Sequence, residues 1–156
     1  MNQERSTTLK VLCILSWIWI GLAILTTVPD LTRQPLSEDE LTEEKSKLYE
    51  SATEEEIAQM RWMLDDTAEF MDVMNANMHL VNGLYLGLYI LGLIAVVFMW
   101  QMKRNGYYLY LFYALGAILI PFVYFPGVFM WFFVIFNLVF GGLFAGLYGA
   151  QLKSMR

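Results

Sequence analysis

The chain has 156 residues, of which 58% are hydrophobic, 16% aromatic and 16% charged, whereas an ordinary soluble domain is roughly 45–50% apolar and about 25% charged. This composition argues against a soluble enzyme. The net charge of −5 argues against nucleic-acid binding, which needs clustered Lys and Arg side chains. With a single cysteine and a single histidine, one chain cannot form an internal disulfide, a zinc knuckle or a bis-histidine metal site.

The first apolar segment predicts a membrane-spanning helix over residues 10–28, preceded by a short cytoplasmic N-terminus of residues 1–9. Residues 11–29 are uncharged, and about 20 apolar residues are enough to cross a hydrocarbon core of about 30 Å. No small-residue cleavage site follows this segment. We therefore expect an uncleaved anchor rather than a signal peptide.

The next segment, residues 29–78, is strongly acidic. It holds 14 acidic and four basic side chains, a local charge of −10. Such a stretch is often disordered, but Ser37 followed by Glu40 predicts a helix-capping box. We therefore expect a helical hairpin, with helices over residues 38–50 and 54–78, the second of which runs directly into the next span.

Beyond the acidic segment, charge-free stretches predict three more spans. The first covers residues 79–101 and ends in a basic cytoplasmic loop, residues 102–106. The 48 uncharged residues from 105 to 152 would extend about 72 Å as one helix, so this run must fold back to fit the membrane. Pro126 and Gly127 are its best turn signal. An outer turn at these two residues gives spans over 107–125 and 128–150.

Basic residues predict the orientation of the four spans. Outside residues 29–78, the basic residues lie in three short segments, namely the N-terminus, the loop between the second and third spans, and residues 151–156. They are Arg5, Lys10, Lys103, Arg104, Lys153 and Arg156. Short cytoplasmic segments are enriched in Lys and Arg, so we expect all three in the cytoplasm of a bacterium and residues 29–78 outside its inner membrane. The predicted fold is an all-α polytopic membrane protein, a four-transmembrane-helix bundle with an extracytoplasmic helical hairpin between spans 1 and 2.

Methionines are the most chemically suggestive residues near the end of the hairpin. Met71, Met74 and Met78, followed by His79, combine soft thioethers with an imidazole, which are ligands that suit Cu(I). Methionines at helical spacing also form packing seams, because flexible thioethers fill irregular gaps. We favour the packing interpretation, keep copper as the alternative, and expect no bound cofactor.

Three carboxylates in the same helix have the spacing of a DDxxE motif. Asp65, Asp66 and Glu69 resemble the clusters that hold Mg²⁺ in prenyl-transfer enzymes. One such motif without a second carboxylate cluster is a weak signal. The favoured interpretation is a solvated acidic helix face.

Glycines in the second and fourth spans predict close helix contacts. Gly83 and Gly87, like Gly142 and Gly146, have GxxxG spacing, which lets helix backbones approach closely in lipid. The fourth span carries a second row of small residues, Gly141, Ala145 and Gly149. Two interpretations stay open, contact with an oligomeric or membrane partner and packing within the four-helix bundle.

Polar groups within the predicted spans are few. Asn82 and Asn137, with His79 at the boundary, are the candidates for a transport path, which normally needs polar or ionisable groups in the membrane. No formal charge lies deep in a span. This argues against an ion or proton transporter formed by one chain.

Two segments resemble a loosely defined group of small bacterial four-span integral membrane proteins. They are LKVLCILSWIWIGLAIL at the first span and KRNGYYLYLFYALGAILIP at the inner turn and third span. The resemblance implies four spans with a helical insertion after the first. It implies no activity, because the group has no assigned catalytic residues.

Three function classes follow from these observations. The leading hypothesis is a non-enzymatic membrane accessory or assembly protein that engages a partner or a second copy through its glycine-faced spans and acidic outer hairpin. The alternative is a small oligomeric transporter or channel for cations or copper, in which an acidic vestibule concentrates cations. A membrane enzyme is the third, and no catalytic residue set supports it.

Overall fold

The computed structural model describes residues 6–50 and 54–155, apart from the side chains of residues 54 and 56, and this part of the chain forms five α-helices and no strands. The helices are α1 (Thr7–Thr32), α2 (Glu38–Glu50), α3 (Glu54–Trp100), α4 (Asn105–Tyr124) and α5 (Gly127–Gln151), followed by a short 3₁₀ turn at Leu152–Ser154. All except α2 are long and apolar enough to cross a membrane. The prediction of an all-α chain with four long apolar helices is confirmed.

The first helix is longer than the predicted span over residues 10–28. It begins at Thr7 because the Ser6 hydroxyl accepts a hydrogen bond from the Leu9 N–H at 3.1 Å, which is a regular N-cap interaction. It continues through Pro29 to Thr32, and the Arg33 N–H still donates to the Pro29 carbonyl. The proline therefore lies inside the last turns of α1 and does not end it.

The second helix begins where the capping box predicts. The Ser37 N–H and hydroxyl both donate to the Glu40 carboxylate, at 2.9 and 2.8 Å, and the Glu40 N–H donates back to the Ser37 hydroxyl at 3.3 Å. These hydrogen bonds favour the ionised carboxylate and lower the pKa of Glu40. The prediction of a capping box at this position is confirmed.

The third helix joins the predicted second hairpin helix to the second span without a break. Its 47 residues extend about 70 Å at 1.5 Å per residue, which is more than twice the thickness of a hydrocarbon core. The N-terminal part of α3 therefore extends beyond any membrane that its apolar C-terminal part crosses.

A tight turn reverses the chain between α3 and α4. The Met102 N–H donates to the Met99 carbonyl and the Lys103 N–H to the Phe98 carbonyl, each at 2.9 Å, a Schellman arrangement. Met102 has a φ of 60°, a left-handed conformation that glycine usually adopts at this position. Its side chain is buried in the core, and this packing offsets the backbone strain.

The bundle is built around α3 and α4. The first helix packs on α3 and the fifth on α4, whereas α1 and α5 contact each other much less. The main core contains a side chain from each of these helices, for example Ile20, Met99, Tyr113 and Tyr148. Hence α1 and α5 lie at the two sides of a central helix pair.

The described residues of the three short basic segments lie at the same end of this bundle. The Ser6 hydroxyl donates to the Gln151 side chain at 2.6 Å, and the Arg104 Nε donates to the Met155 carbonyl at 2.9 Å. These contacts join the N-terminus, the α3–α4 turn and the C-terminal turn. A second hydrophobic cluster, which includes Val81 and Phe125, lies toward the opposite end.

Candidate interaction site

The two rows of small residues on α5 have different surroundings. In the row of Gly141, Ala145 and Gly149, a Cβ atom added at Gly141 would lie 3.5 Å from the Ala114 Cβ, and one added at Gly149 would lie 3.1 Å from the Tyr107 hydroxyl. In the GxxxG row, a Cβ at Gly142 or Gly146 would meet nothing within 4 Å. The row of Gly141 therefore packs on α4, and the GxxxG row is open.

The rest of the outer face of α5 is also uncovered. Of the 25 residues of this helix, only Tyr148 is buried. Large apolar side chains in the turns of α5 before the open glycines, such as Ile135 and Val139, are more than half exposed. The open row is thus part of a continuous apolar helix face without a neighbour in this chain.

The GxxxG pair on α3 is open in the same way. A Cβ atom at Gly83 or Gly87 would meet nothing within 4 Å, so neither glycine packs against another helix of the chain. Other glycines carry the internal packing. An added Cβ at Gly106 would lie 2.6 Å from the Ala95 carbonyl oxygen, and one at Gly116 would lie 2.5 Å from a Leu88 methyl.

A groove lies between α1 and α5, with α4 at its base. It has a volume of about 440 Å³, and its lining includes Asn137, Trp19 and Ala117. Next to it, the buried Ser16 and Tyr148 hydroxyls are 2.9 Å apart and hydrogen-bonded, which joins α1 to α5. The groove opens where the two helices lose contact with each other.

The three candidate transport residues do not line one cavity. Asn137 lines the groove, and its side-chain amide donates to the Phe133 carbonyl at 2.7 Å. His79 is exposed and Asn82 half-buried, and neither is among the residues that line the groove. A path through all three would therefore need contributions from more than one chain.

The methionine cluster is divided between packing and surface. Met74 packs against a buried cluster of Val81, Ile120 and Phe125. Met71 and Met78 are half-buried, and His79 is exposed. Among the described residues, no group of three or more His, Cys, Asp or Glu side chains could hold a metal ion. The contacts of Met74 agree with the packing interpretation, and copper binding stays the alternative hypothesis.

The acidic helix α2 lies antiparallel to the N-terminal part of α3. Lys45 forms an ion pair with Asp72, and the Tyr49 hydroxyl donates to Asp65 at 2.8 Å. This hydrogen bond, together with the negative charge beside it, raises the pKa of Tyr49. Two acids of α3 are therefore occupied in holding α2.

The turn before α2 is fixed by one asparagine of α3. The Leu36 N–H donates to the Asn75 side-chain oxygen at 2.7 Å, and the Asn75 amide donates to the Leu36 carbonyl at 3.0 Å. A single side chain thus satisfies both backbone groups of a residue 39 positions away. The orientation of α2 on α3 is set by this pair as well as by the charged contacts.

Asp66 joins α3 to the turn between α4 and α5. Its carboxylate accepts a hydrogen bond from the Val128 N–H at 2.8 Å, in the first turn of α5. This helix starts after Pro126, which supplies no side-chain cap, so Asp66 takes the role of a capping acid from another helix. The acidic helix face expected at Asp65, Asp66 and Glu69 is therefore partly structural and not only solvated.

Aromatic packing reinforces this junction. Phe70 stacks on Phe129 with 4.6 Å between ring centroids and meets Phe125 edge-on at 5.0 Å. The acidic helix pair is thus held on the bundle of its own chain at the end opposite the termini. Its acids that face away from the bundle remain exposed.

Sequence reasoning missed the structural roles of several of these residues, including Asp66, which it placed on a solvated acidic helix face. Asp66 and Asn75 carried weak signals, an acid one turn before Phe70 and an amide at the polar boundary of a long helix. Gly106 and Gly116 carried none, because neither belongs to a GxxxG pair. Their contacts depend on which helices meet, and spacing along one helix does not contain that information.

Comparisons with family models, curated proteins and solved structures give no match to this chain. The resemblance to small bacterial four-span proteins stays a prediction.

Proposed function

We propose that this chain is a non-enzymatic integral membrane accessory or assembly protein that binds a partner, or a second copy of itself, through the open glycine face of α5. The observation that carries the proposal is the difference between the two rows of small residues. The row at Gly141 packs within the chain, while a Cβ at Gly142 or Gly146 would meet open space. Because small residues let backbones approach closely in lipid, the open row is suited to another transmembrane helix.

The physical reason for a helix partner is the lack of other driving forces in lipid. Apolar side chains gain little by leaving lipid for a helix interface, so association depends on close packing and interhelical hydrogen bonds. The exposed face at Gly142 and Gly146 offers close packing without rearrangement of the bundle. Gly83 and Gly87 on α3 offer a second face of the same kind.

The test is recovery of partners from native membranes. Gly142→Ile with Gly146→Ile fills the open row, and Leu143→Ile with Leu147→Ile is the matched control at the same spacing, on exposed positions of the same helix. We expect the wild type and the control to retain a co-purifying polypeptide or second copy, and the glycine variant to lose it. Equal recovery from all three proteins would contradict the proposal.

We further propose that both termini are cytoplasmic and that the α2–α3 pair lies outside a bacterial inner membrane. The N-terminal, α3–α4 and C-terminal segments meet at one end of the bundle, and these segments carry most of the bases outside the acidic region. The positive-inside rule favours the cytoplasm for that end.

A labelling experiment tests this orientation. In a Cys13→Ser background, we expect Glu44→Cys to react with a membrane-impermeant maleimide in intact spheroplasts. We expect Lys153→Cys to react only after permeabilisation. Both native positions are exposed, so burial does not limit the reaction. The reverse labelling pattern would contradict the proposed topology.

A further inference from the structure

Two bases at the end of the bundle that holds the termini lack acidic partners. Arg104 and Lys153 are exposed, and within the part of the chain that the structure describes neither forms an ion pair. No acidic residue occurs between residues 79 and 156, so α4 and α5 supply no carboxylate. The only acid before residue 30, Glu4, lies outside the described residues.

The acidic helix pair is too distant to neutralise these bases. It lies at the other end of α4, whose 20 residues extend about 30 Å. The Debye length at physiological salt is about 8 Å, so the acids of α2 and α3 are screened from Arg104 and Lys153. Among the described residues, the two bases therefore carry uncompensated positive charge.

One hydrogen bond brings Arg104 to the turn that carries Lys153. The Arg104 Nε donates to the Met155 carbonyl at 2.9 Å. Met155 is buried, and its N–H donates to the Leu152 carbonyl at 3.1 Å, which closes the 3₁₀ turn around Lys153. Of the five N–H donors of an arginine, the four on the terminal nitrogens of Arg104 make no hydrogen bond within the described residues. A guanidinium held in place beside a lysine is a donor set that suits a phosphate group.

The surface of α4 changes from charged to apolar directly after Arg104. This residue has helical backbone angles, so the positions four, eight and eleven residues later lie on its side of the helix. They are Tyr108, Phe112 and Leu115, which are 61%, 67% and 59% exposed. The helix is long and apolar enough to cross a membrane. Bases followed by an exposed apolar stripe match the polarity of a phospholipid, with the headgroup at one end and acyl chains along the helix.

We infer that Arg104 and Lys153 bind the phosphate of an anionic phospholipid, whose acyl chain lies along the exposed apolar stripe of α4. The inference rests on the membrane insertion proposed above and not on the proposed partner. A soluble phosphate compound would use only the two bases, whereas a lipid uses the bases and the stripe. An anionic headgroup is favoured over a zwitterionic one, because a headgroup amine places another positive charge beside the two bases.

Native mass spectrometry of the purified, delipidated full chain in detergent tests the inference. The probes are phosphatidylglycerol and phosphatidylethanolamine with identical acyl chains, offered at equal concentration. Arg104→Gln and Lys153→Gln each remove one base, and Lys153→Gln breaks no hydrogen bond or ion pair of the described chain. Lys10→Gln is the matched control. Lys10 is an exposed base at the same end of the bundle, but it belongs to α1, and no contact joins it to a second base within the described residues.

We expect the wild type and Lys10→Gln to retain one phosphatidylglycerol per chain and to prefer it over phosphatidylethanolamine by about 25-fold, and each of the other two variants to lose about fivefold in affinity for it. The preference should shrink at high salt, because the bases are exposed. The inference is overturned if the wild type binds both lipids equally. It is also overturned if Lys10→Gln loses as much affinity as Lys153→Gln.

Two further arms identify the ligand and its position. Glycerol 3-phosphate carries the same phosphate without acyl chains, and binding as tight as that of phosphatidylglycerol would overturn the inference in favour of a soluble ligand. Phosphatidylglycerol with a photoreactive group in its acyl chain should label α4. Labelling of α1 instead would also overturn it.

Failure of this lipid site and failure of the proposed function are distinguishable. Lys153→Gln should lose the lipid and keep the partner, because Lys153 lies outside the open glycine row. Gly142→Ile with Gly146→Ile should lose the partner and keep the lipid, because the inferred acyl chain lies on α4.

Discussion

Replacement of Asp66 by alanine should destabilise the junction between α3 and α5. The mutation removes a carboxylate that accepts a hydrogen bond from the Val128 N–H at 2.8 Å, at the start of a helix without a side-chain cap of its own. Loss of an N-capping side chain costs about 0.5–2 kcal/mol, and loss of a negative charge at a helix N-terminus about 0.3–1 kcal/mol. Because Asp66 is half-buried, we expect a total of about 1–2 kcal/mol. Asp66→Asn keeps an acceptor oxygen and should cost less.

A mutation at Gly127 provides a second test of the Asp66 hydrogen bond. This residue has a φ of 49°, and an added Cβ would clash with the Asp66 carboxylate. Gly127→Ala should therefore cost about 1–2 kcal/mol for the left-handed backbone and should also break the Asp66 hydrogen bond. In an Asp66→Ala background only the backbone cost remains. The double variant should therefore lose about 1 kcal/mol less stability than the sum of the losses in Asp66→Ala and Gly127→Ala.

Unfolding in mixed micelles at increasing dodecyl sulfate fraction, followed by circular dichroism, measures these free energies. Glu69→Ala is the control, because Glu69 is an exposed acid one turn along the same helix and should be neutral within about 0.5 kcal/mol. The reasoning is refuted if Asp66→Ala is as neutral as Glu69→Ala. It is also refuted if the Asp66 and Gly127 variants are strictly additive.

Three further predictions concern other polar contacts. Asn75→Ala should lower the free energy of unfolding by about 1–3 kcal/mol, because it leaves the Leu36 backbone groups unpaired. The Leu36 amide should then exchange faster than in the wild type, and an unchanged exchange rate would contradict the prediction. The capping contribution of Glu40, whose folded pKa is lowered, is present above its unfolded pKa and lost as the pH falls through the folded pKa. The protection factors of the amides at the start of α2, which compare the exchange rate with the intrinsic rate at the same pH, should therefore fall in acid in the wild type and not in Glu40→Gln. Tyr148→Phe should lower the free energy of unfolding by about 1–2 kcal/mol in the same assay, because it leaves the buried Ser16 hydroxyl without its partner. In a Ser16→Ala background, the same mutation should lose most of this effect.

The long apolar helices could be predicted because their sequence signals are local. A charge-free run long enough to cross a membrane is visible without knowledge of its neighbours, and the turn at Pro126 follows from the length of the last run. The helix start at Ser37 is equally local, since both partners of the capping box lie within one turn. These elements agree closely with the structure.

The contacts between helices could not be predicted in the same way. Asn75 pairs with a residue 39 positions away and Asp66 with one 62 positions away, and neither spacing leaves a periodic pattern. The packing of the α5 glycines could not be predicted for the same reason. Only the positions of the neighbouring helices decide that Gly141 packs on α4 while Gly142, about 100° around the helix, remains open.

The mass of the intact particle in native lipid is the most direct test of the central claim, that the open glycine face of α5 holds another polypeptide. The wild type should be released from its own membrane as a particle with a second polypeptide or a second copy of the 18.1 kDa chain. Gly142→Ile with Gly146→Ile should be released as a single folded chain. A wild-type particle that contains one chain and lipid alone would contradict the account.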